Sequence, residues 1–231
     1  MDFRAALLDQ TRDFGELIRS ADPSTPVPTC PDWTLRQLFR HVGRGNRWAA
    51  QIIADRRRDP LDPHDVREGK PPDDPEAAID WLNNGAQLII DAVDRVGPET
   101  RVWTFLGARP CGWWIRRRLH EVTVHRADAA LALGLDYDLS PELAADGISE
   151  WIELMAVQAK PQSPALERGT IVSDEEGIGW SHDHEKGDAA LRGPANDLLL
   201  AIVRRRTAAE AGVEIFGDTA VWEGWLEHTP F

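Results

Sequence analysis

The chain has 231 residues, 42% of them hydrophobic, which suffices for one large core or two small ones. Its net charge of −13 argues against nucleic acid and anionic membrane surfaces as partners, since both are held through excess positive charge. Cys30 and Cys111 are too few for a disulfide framework or a cysteine zinc site, no stretch approaches the roughly 20 apolar residues of a membrane span, and MDFRAALLDQ lacks the basic start and apolar run of a signal peptide. A cytoplasmic location is the expectation.

The first half reads as four helices. Phe3, Leu7, Phe14, Leu17 and Ile18 mark the first. In CPDWTLRQLFRHVG, Thr34 and Gln37 form a T-x-x-Q capping box, with Trp33 and Leu38 placed for a hydrophobic staple, so a second helix starts near Leu35 and runs towards Arg58. Its apolar stripe is Leu35, Leu38, Phe39 and Val42, with His41 at the edge. The stretch RDPLDPHDVREGKPPDDPE then reads as a long exposed crossover without regular structure. The third helix alternates steps of three and four through Ile79, Leu82, Ala86, Ile89, Val93 and Val96. An aromatic segment, VWTFLGARPCGWW, is suited to covering a pocket; the fourth helix follows it and stops at Gly134.

Glu121 and His125 stand four apart in that fourth helix, so their side chains leave one face a turn apart, which is chelate spacing. His120 gives the string a look of the zinc-peptidase H-E-x-x-H, but its partner histidine is five positions on, roughly 140° beyond a full turn, and the peptidase reading fails. His41 is the best candidate for a third ligand. Two imidazoles and a carboxylate suit a divalent transition metal, zinc first among zinc, nickel, cobalt and manganese, with coordination positions left for chemistry. On spacing alone, a solvated helix face is the simpler explanation of Glu121 and His125. Asp128 is placed either to orient the His125 ring or to pair with Arg118. Neither cysteine has an adjacent histidine or basic residue, so packing accounts for both, and any reacting sulfur is expected to come from a cofactor.

From Ser140 the pattern changes to a helix, PELAADGISEWIELMAVQ, then strand-like runs at GTIVSD, GIGWSH and DAALRG. A helix opened by Pro194 and a short one capped by Asp218 complete a small α/β domain. The expected fold class is α+β, with residues 1–139 a four-helix bundle and residues 140–231 the smaller domain. His182 and His184 share one face of a strand, but Ser181, Asp183 and Glu185 beside them suggest an ordinary polar edge. The run Arg204 to Arg206 ends an apolar helix, where positive charge complements the dipole.

Together, C-P-x-W-T at 30–34 with the following helical histidine, and H-E-x-x-x-H-R-x-D at 120–128, resemble the mycothiol-dependent maleylpyruvate isomerase family within the DinB-like metal-binding bundles. The likeness continues through TIVSDEEGIGW, DAALRGPANDLLLAIVRRR and FGD. It implies a DinB-like bundle holding a divalent metal through His41, Glu121 and His125, with mycothiol as the thiol cofactor. It also implies a functional arginine after the leucine-rich helix, where aligning D-L-L-L selects Arg205, suited to a substrate carboxylate. The implied activity is isomerisation, in which thiol addition to a cis double bond permits rotation before elimination, or S-transfer where the adduct persists. A non-catalytic metal-binding or regulatory protein on the same scaffold is the alternative. The expected partners are a small-molecule substrate and a low-molecular-weight thiol, with no nucleic acid and no membrane; the sequence leaves the oligomeric state open.

Overall fold

The computed structural model describes residues 1–158, the strands at 169–173 and 179–181, and residues 188–229. The chain divides into two compact units, Met1–Tyr137 and Asp138–Phe231. Four long helices build the first: α1 (Phe3–Ile18), α2 (Leu35–Ala54), α3 (Pro75–Val96) and α4 (Trp113–Leu133). Each end has a local cause. Asp2 and Asp74 accept hydrogen bonds from the first-turn amides of α1 and α3. Gln37 Oε1 accepts from Thr34 N at 2.8 Å and Thr34 Oγ1 at 3.0 Å, holding the start of α2. Gly134 closes α4 in the left-handed conformation, φ 65°.

The apolar stripes meet as their periodicity requires. Leu38, Val42, Ala49 and Ile53 of α2 and Leu82, Ala86, Ile89 and Val93 of α3 are all buried, with α2 packed against α3 and α1 packed across α3 and α4. The α2–α3 contact is close because Gly43 has no side chain: a Cβ there would fall 2.0 Å from the Trp81 ring. Two expectations need correction. Helix α2 ends at Ala54, short of Arg58, and the crossover holds one 3-10 turn, Pro63–Asp65, nucleated by Asp62 accepting from the His64 amide. Between α3 and α4 the aromatic segment forms a minimal antiparallel pair, β1 (Arg101–Val102) with β2 (Arg109–Pro110).

The second unit opens with α5 (Pro141–Gln158). Its sheet has the order β4-β3-β5-β6, from β3 (Gly169–Ser173), β4 (Gly179–Ser181), β5 (Ala189–Gly193) and β6 (Glu214–Gly217). The β3–β5 pair is parallel and the other two are antiparallel. Between β5 and β6 lies α6 (Ala195–Ile202), whose leucines are buried, and α7 (Thr219–His228) starts where Asp218 accepts from the Ala220 amide. The fold is thus α+β with a helical amino-terminal part. His182 and His184 lie outside the described residues. Among those residues, no helix is long and apolar enough to cross a membrane.

Gly43→Ala should destabilise the protein by about 1–3 kcal/mol through overpacking against Trp81, read by urea denaturation. A loss below about 0.5 kcal/mol would mean that the α2–α3 contact yields easily.

Candidate metal centre and active site

Ile115, Leu119, Val122, Ala129 and Leu133 recur at helical spacing along α4 and read as one apolar stripe with Glu121 and His125 at its edge. In the structure α4 is buried nearly all round, and Arg117, Arg118, His120, Thr123, His125 and Asp128 are buried with the stripe. Polar side chains on such a helix must find partners inside the protein. The partners include the i+3 and i+4 positions of α4 itself, residues of α2, and the loop before α2.

His41, Glu121 and His125 converge. Their ligand atoms lie within 4.8 Å of one another. His41 Nε2 is 3.1 Å from Glu121 Oε1, and His125 Nε2 is 3.6 Å from the same oxygen. The two imidazole rings meet edge to face at 4.8 Å, and Trp33 lies against both, 4.8 Å from His41 and 6.3 Å from His125. His120, also buried, is not among the clustered ligands.

Asp128 takes the orienting role. Fully buried, it stands 2.8 Å from His125 Nδ1 through Oδ2, while Thr29 donates to Oδ1 at 2.6 Å and Cys30 to Oδ2 at 3.4 Å. The contact fixes Nδ1–H as the donor and turns Nε2 towards Glu121. Arg118, the other partner considered for Asp128, instead donates to Asn46 Oδ1 and the Val42 carbonyl, with Nη1 3.5 Å from Glu121 Oε1. Cys30 requires a correction: it sits beside His125 and Asp128, brought there by the loop ahead of α2 from 95 positions away in the sequence. Cys111 is buried and donates to the Gly97 carbonyl, and burial pushes its thiol pKa up.

The electrostatics follow from burial and pairing. Burial raises the Glu121 pKa, but Arg118 and Arg117, with help from both imidazoles, hold the carboxyl well below its usual range. Burial also lowers His125, yet its bonds with Asp128, Cys30 and Glu121 outweigh that and raise it to about 10. For His41 burial prevails over the Glu121 contact, and its pKa is lowered. Glu121 Oε2 is in turn gripped by Arg117 Nη2 at 2.6 Å.

A pocket of about 390 Å³ opens beside the cluster, with His41 and Glu121 in its lining. Trp33, Trp48, Phe105 and Trp114 supply apolar wall, so the aromatic segment does contribute to the pocket. Arg40, Arg44, Arg117 and Arg118 put four guanidinium groups against the single carboxylate of Glu121. Arg40 and Arg44 follow the His41 face of α2 and were readable from that register.

Residues 4–130 match the model of the mycothiol maleylpyruvate isomerase N-terminal domain, and residues 142–224 that of the corresponding C-terminal domain. The chain belongs to this family. An uncharacterized protein of Mycobacterium tuberculosis, found in strains CDC 1551 and H37Rv, is 28% identical over 137 residues, which span 57% of this chain and 66% of that protein. Crystal structures of the mycothiol-dependent maleylpyruvate isomerase and of a histidine-to-alanine mutant share the fold, with TM-scores of 0.66 and 0.68 over 99% of this chain and 95% of theirs. Identity to both is 13%, so the likeness speaks to fold alone.

Asp128→Ala should cost about 1–3 kcal/mol, because it leaves the buried His125 Nδ1–H and the Thr29 hydroxyl without their acceptor. Asp128→Asn should cost less, since its oxygen can still accept from Nδ1. Urea denaturation checks both, and equal losses would assign the effect to packing.

Proposed function

We propose that the chain is a metal-dependent enzyme that uses a low-molecular-weight thiol, mycothiol by family membership, as an isomerase or S-transferase acting on a small carboxylate-bearing electrophile. The observation that carries this reading is the convergence of His41, Glu121 and His125 beside an arginine-rich, aromatic-walled pocket. His41 and His125 through Nε2, with Glu121 through Oε1, would hold a divalent ion such as zinc. When bound, such an ion supplies the charge that keeps an incoming thiol deprotonated near neutral pH.

The chain's own residues do the rest. Asp128 keeps the His125 ring in the orientation that presents Nε2. Arg117 and Arg118 keep Glu121 ionised and hold it by two of its neighbours on α4. Arg40 and Arg44 draw an anionic substrate towards the pocket, and Trp48, Phe105 and Trp114 keep water from its wall. Arg205 is proposed, on the family resemblance, to pair with the substrate carboxylate. Within its own unit Arg205 Nη1 donates to the Val203 carbonyl at 2.8 Å, so a second role in holding the turn after α6 belongs to the same residue.

One observation favours the non-catalytic alternative. Glu121 already has two guanidinium groups and two imidazoles as neighbours within the protein. Metal analysis separates the two readings. Purified wild type is expected to carry about one divalent ion per chain. His41→Ala and His125→Ala should each lose most of it while keeping helical circular dichroism, because apolar seams build the core. Stoichiometric metal in both variants would remove these ligands from the assignment.

Turnover of a cis-unsaturated oxo acid by wild type is expected only when a low-molecular-weight thiol is added. Because Cys30 lies beside His125, this is a demanding test. Activity without added thiol would assign the reacting sulfur to the protein itself.

A further inference from the structure

A second cleft lies on the other side of α2. Its volume is about 260 Å³, and its walls are Arg47, Ala50, Gln51 and Ala54 of α2, Leu88, Ala92 and Arg95 of α3, and Arg67 with Glu68 from the crossover. The spacing explains the two walls: each helix contributes positions three, four and seven apart, which is one continuous face. None of these residues belongs to the pocket beside His41 and Glu121.

Arg47 is the unusual element. Only 4% exposed, it has no carboxylate within ion-pair distance among the described residues, and its Nε has no hydrogen-bond partner. What it does have is uncharged: Nη1 donates to the Trp81 carbonyl at 2.6 Å, and the guanidinium lies 4.4 Å from the centre of the Trp81 ring. The chain makes room for this arrangement, since a Cβ on Gly85 would stand 2.7 Å from Arg47 Nη1. Burial opposes the charge and lowers the Arg47 pKa, with Glu68 the one acidic group that counteracts it from a distance. Arg95 at the rim likewise has no ion pair among the described residues, whereas Arg67 is paired with Asp55 at 2.8 Å. Three guanidinium groups thus face one carboxylate in a protein whose net charge is −13.

We propose that this cleft is a binding site for the oxyanion end of a small molecule, a phosphate or carboxylate group seated against Arg47 and Arg95 with Ala50, Ala54, Leu88 and Ala92 alongside. A buried cation without an anionic partner is costly, and a ligand oxyanion supplies what the protein omits. The planar guanidinium of Arg47 lines the cleft, and its Nη2, uncommitted where Nη1 is held by the Trp81 carbonyl, is shaped to donate to such a group. The proposal stands apart from the metal centre, so either can fail alone.

Thermal unfolding of the full chain with inorganic phosphate, with malonate, and with chloride at matched ionic strength tests it. Wild type should show a saturable rise in Tm with at least one oxyanion and none with chloride. Arg95→Gln, at an exposed rim position, should raise the half-saturating concentration by roughly tenfold or more, the loss of one charge-assisted bond. Arg47→Met should abolish the response; where that variant does not fold, Arg95→Gln decides. A response to phosphate alone assigns a phosphate group, and a response to malonate assigns a carboxylate. The proposal is overturned by the absence of a saturable shift, by a response that Arg95→Gln retains in full, or by one that Arg40→Gln in the other pocket removes instead.

Discussion

The structure of the first unit depends on how α4 carries charge into the interior. Isolated burial of a carboxylate or guanidinium costs several kcal/mol even after relaxation, and α4 buries or half-buries Arg117, Arg118, Glu121, His125 and Asp128 within twelve residues. The solution is sequence-local. Arg117 and Glu121, Glu121 and His125 are four apart, while Arg118 and Glu121, His125 and Asp128 are three apart, so a single helix turn closes each pair. Further partners come from Asn46 and His41 of α2 and from Thr29 and Cys30 in the preceding loop. A network of this kind tolerates few substitutions, because removing either member of a buried pair strands the other.

The constraint also explains which parts of the site could be read from the sequence. Pairs within one helix are fixed by 3.6-residue geometry, so the Glu121/His125 spacing and the Asp128 position were legible, as were the Thr34 box and the Gly134 stop. The place of His41 at a stripe edge was legible too, though its meeting with Glu121 rests on the packing of two helices 80 positions apart. Cys30 was not legible. Its nearest charged partners follow it by 95 and 98 positions, and nothing local to C-P-D-W marks it as adjacent to a histidine. The near-complete burial of α4 was hidden for a related reason: arginine, histidine and aspartate read as a solvated face until their partners are known, and periodicity counts only apolar residues.

Net charge constrains polyanionic partners and leaves small anions open. The excess of acidic groups, 39 against 26 basic, speaks to the whole surface and to polyanions that would lie across it. Inside the two clefts flanking α2 the balance is reversed, with four arginines to one glutamate on one side and three to one on the other. A concave site with apolar walls concentrates the field of its own charges, so a small anion entering either cleft meets mainly guanidinium groups. Exclusion of nucleic acid and attraction of small carboxylates or phosphates are therefore compatible in one molecule.

Helix α2 makes both clefts possible by giving up side chains. Gly43 admits the Trp81 ring, and Gly45 admits Arg118, whose guanidinium would lie within 3 Å of a Cβ there. Each glycine in a helix interior costs about 1 kcal/mol of intrinsic helix stability relative to alanine, so two in three residues is a poor choice on propensity alone. Here the close approach they permit brings α3 and α4 against opposite sides of the same helix. Trp81 then carries Arg47 on its ring and carbonyl, and Arg118 reaches between Asn46 and Glu121. A larger residue at either position would push away the arginine or the tryptophan that supports one, and so would disturb a cleft together with the core around it.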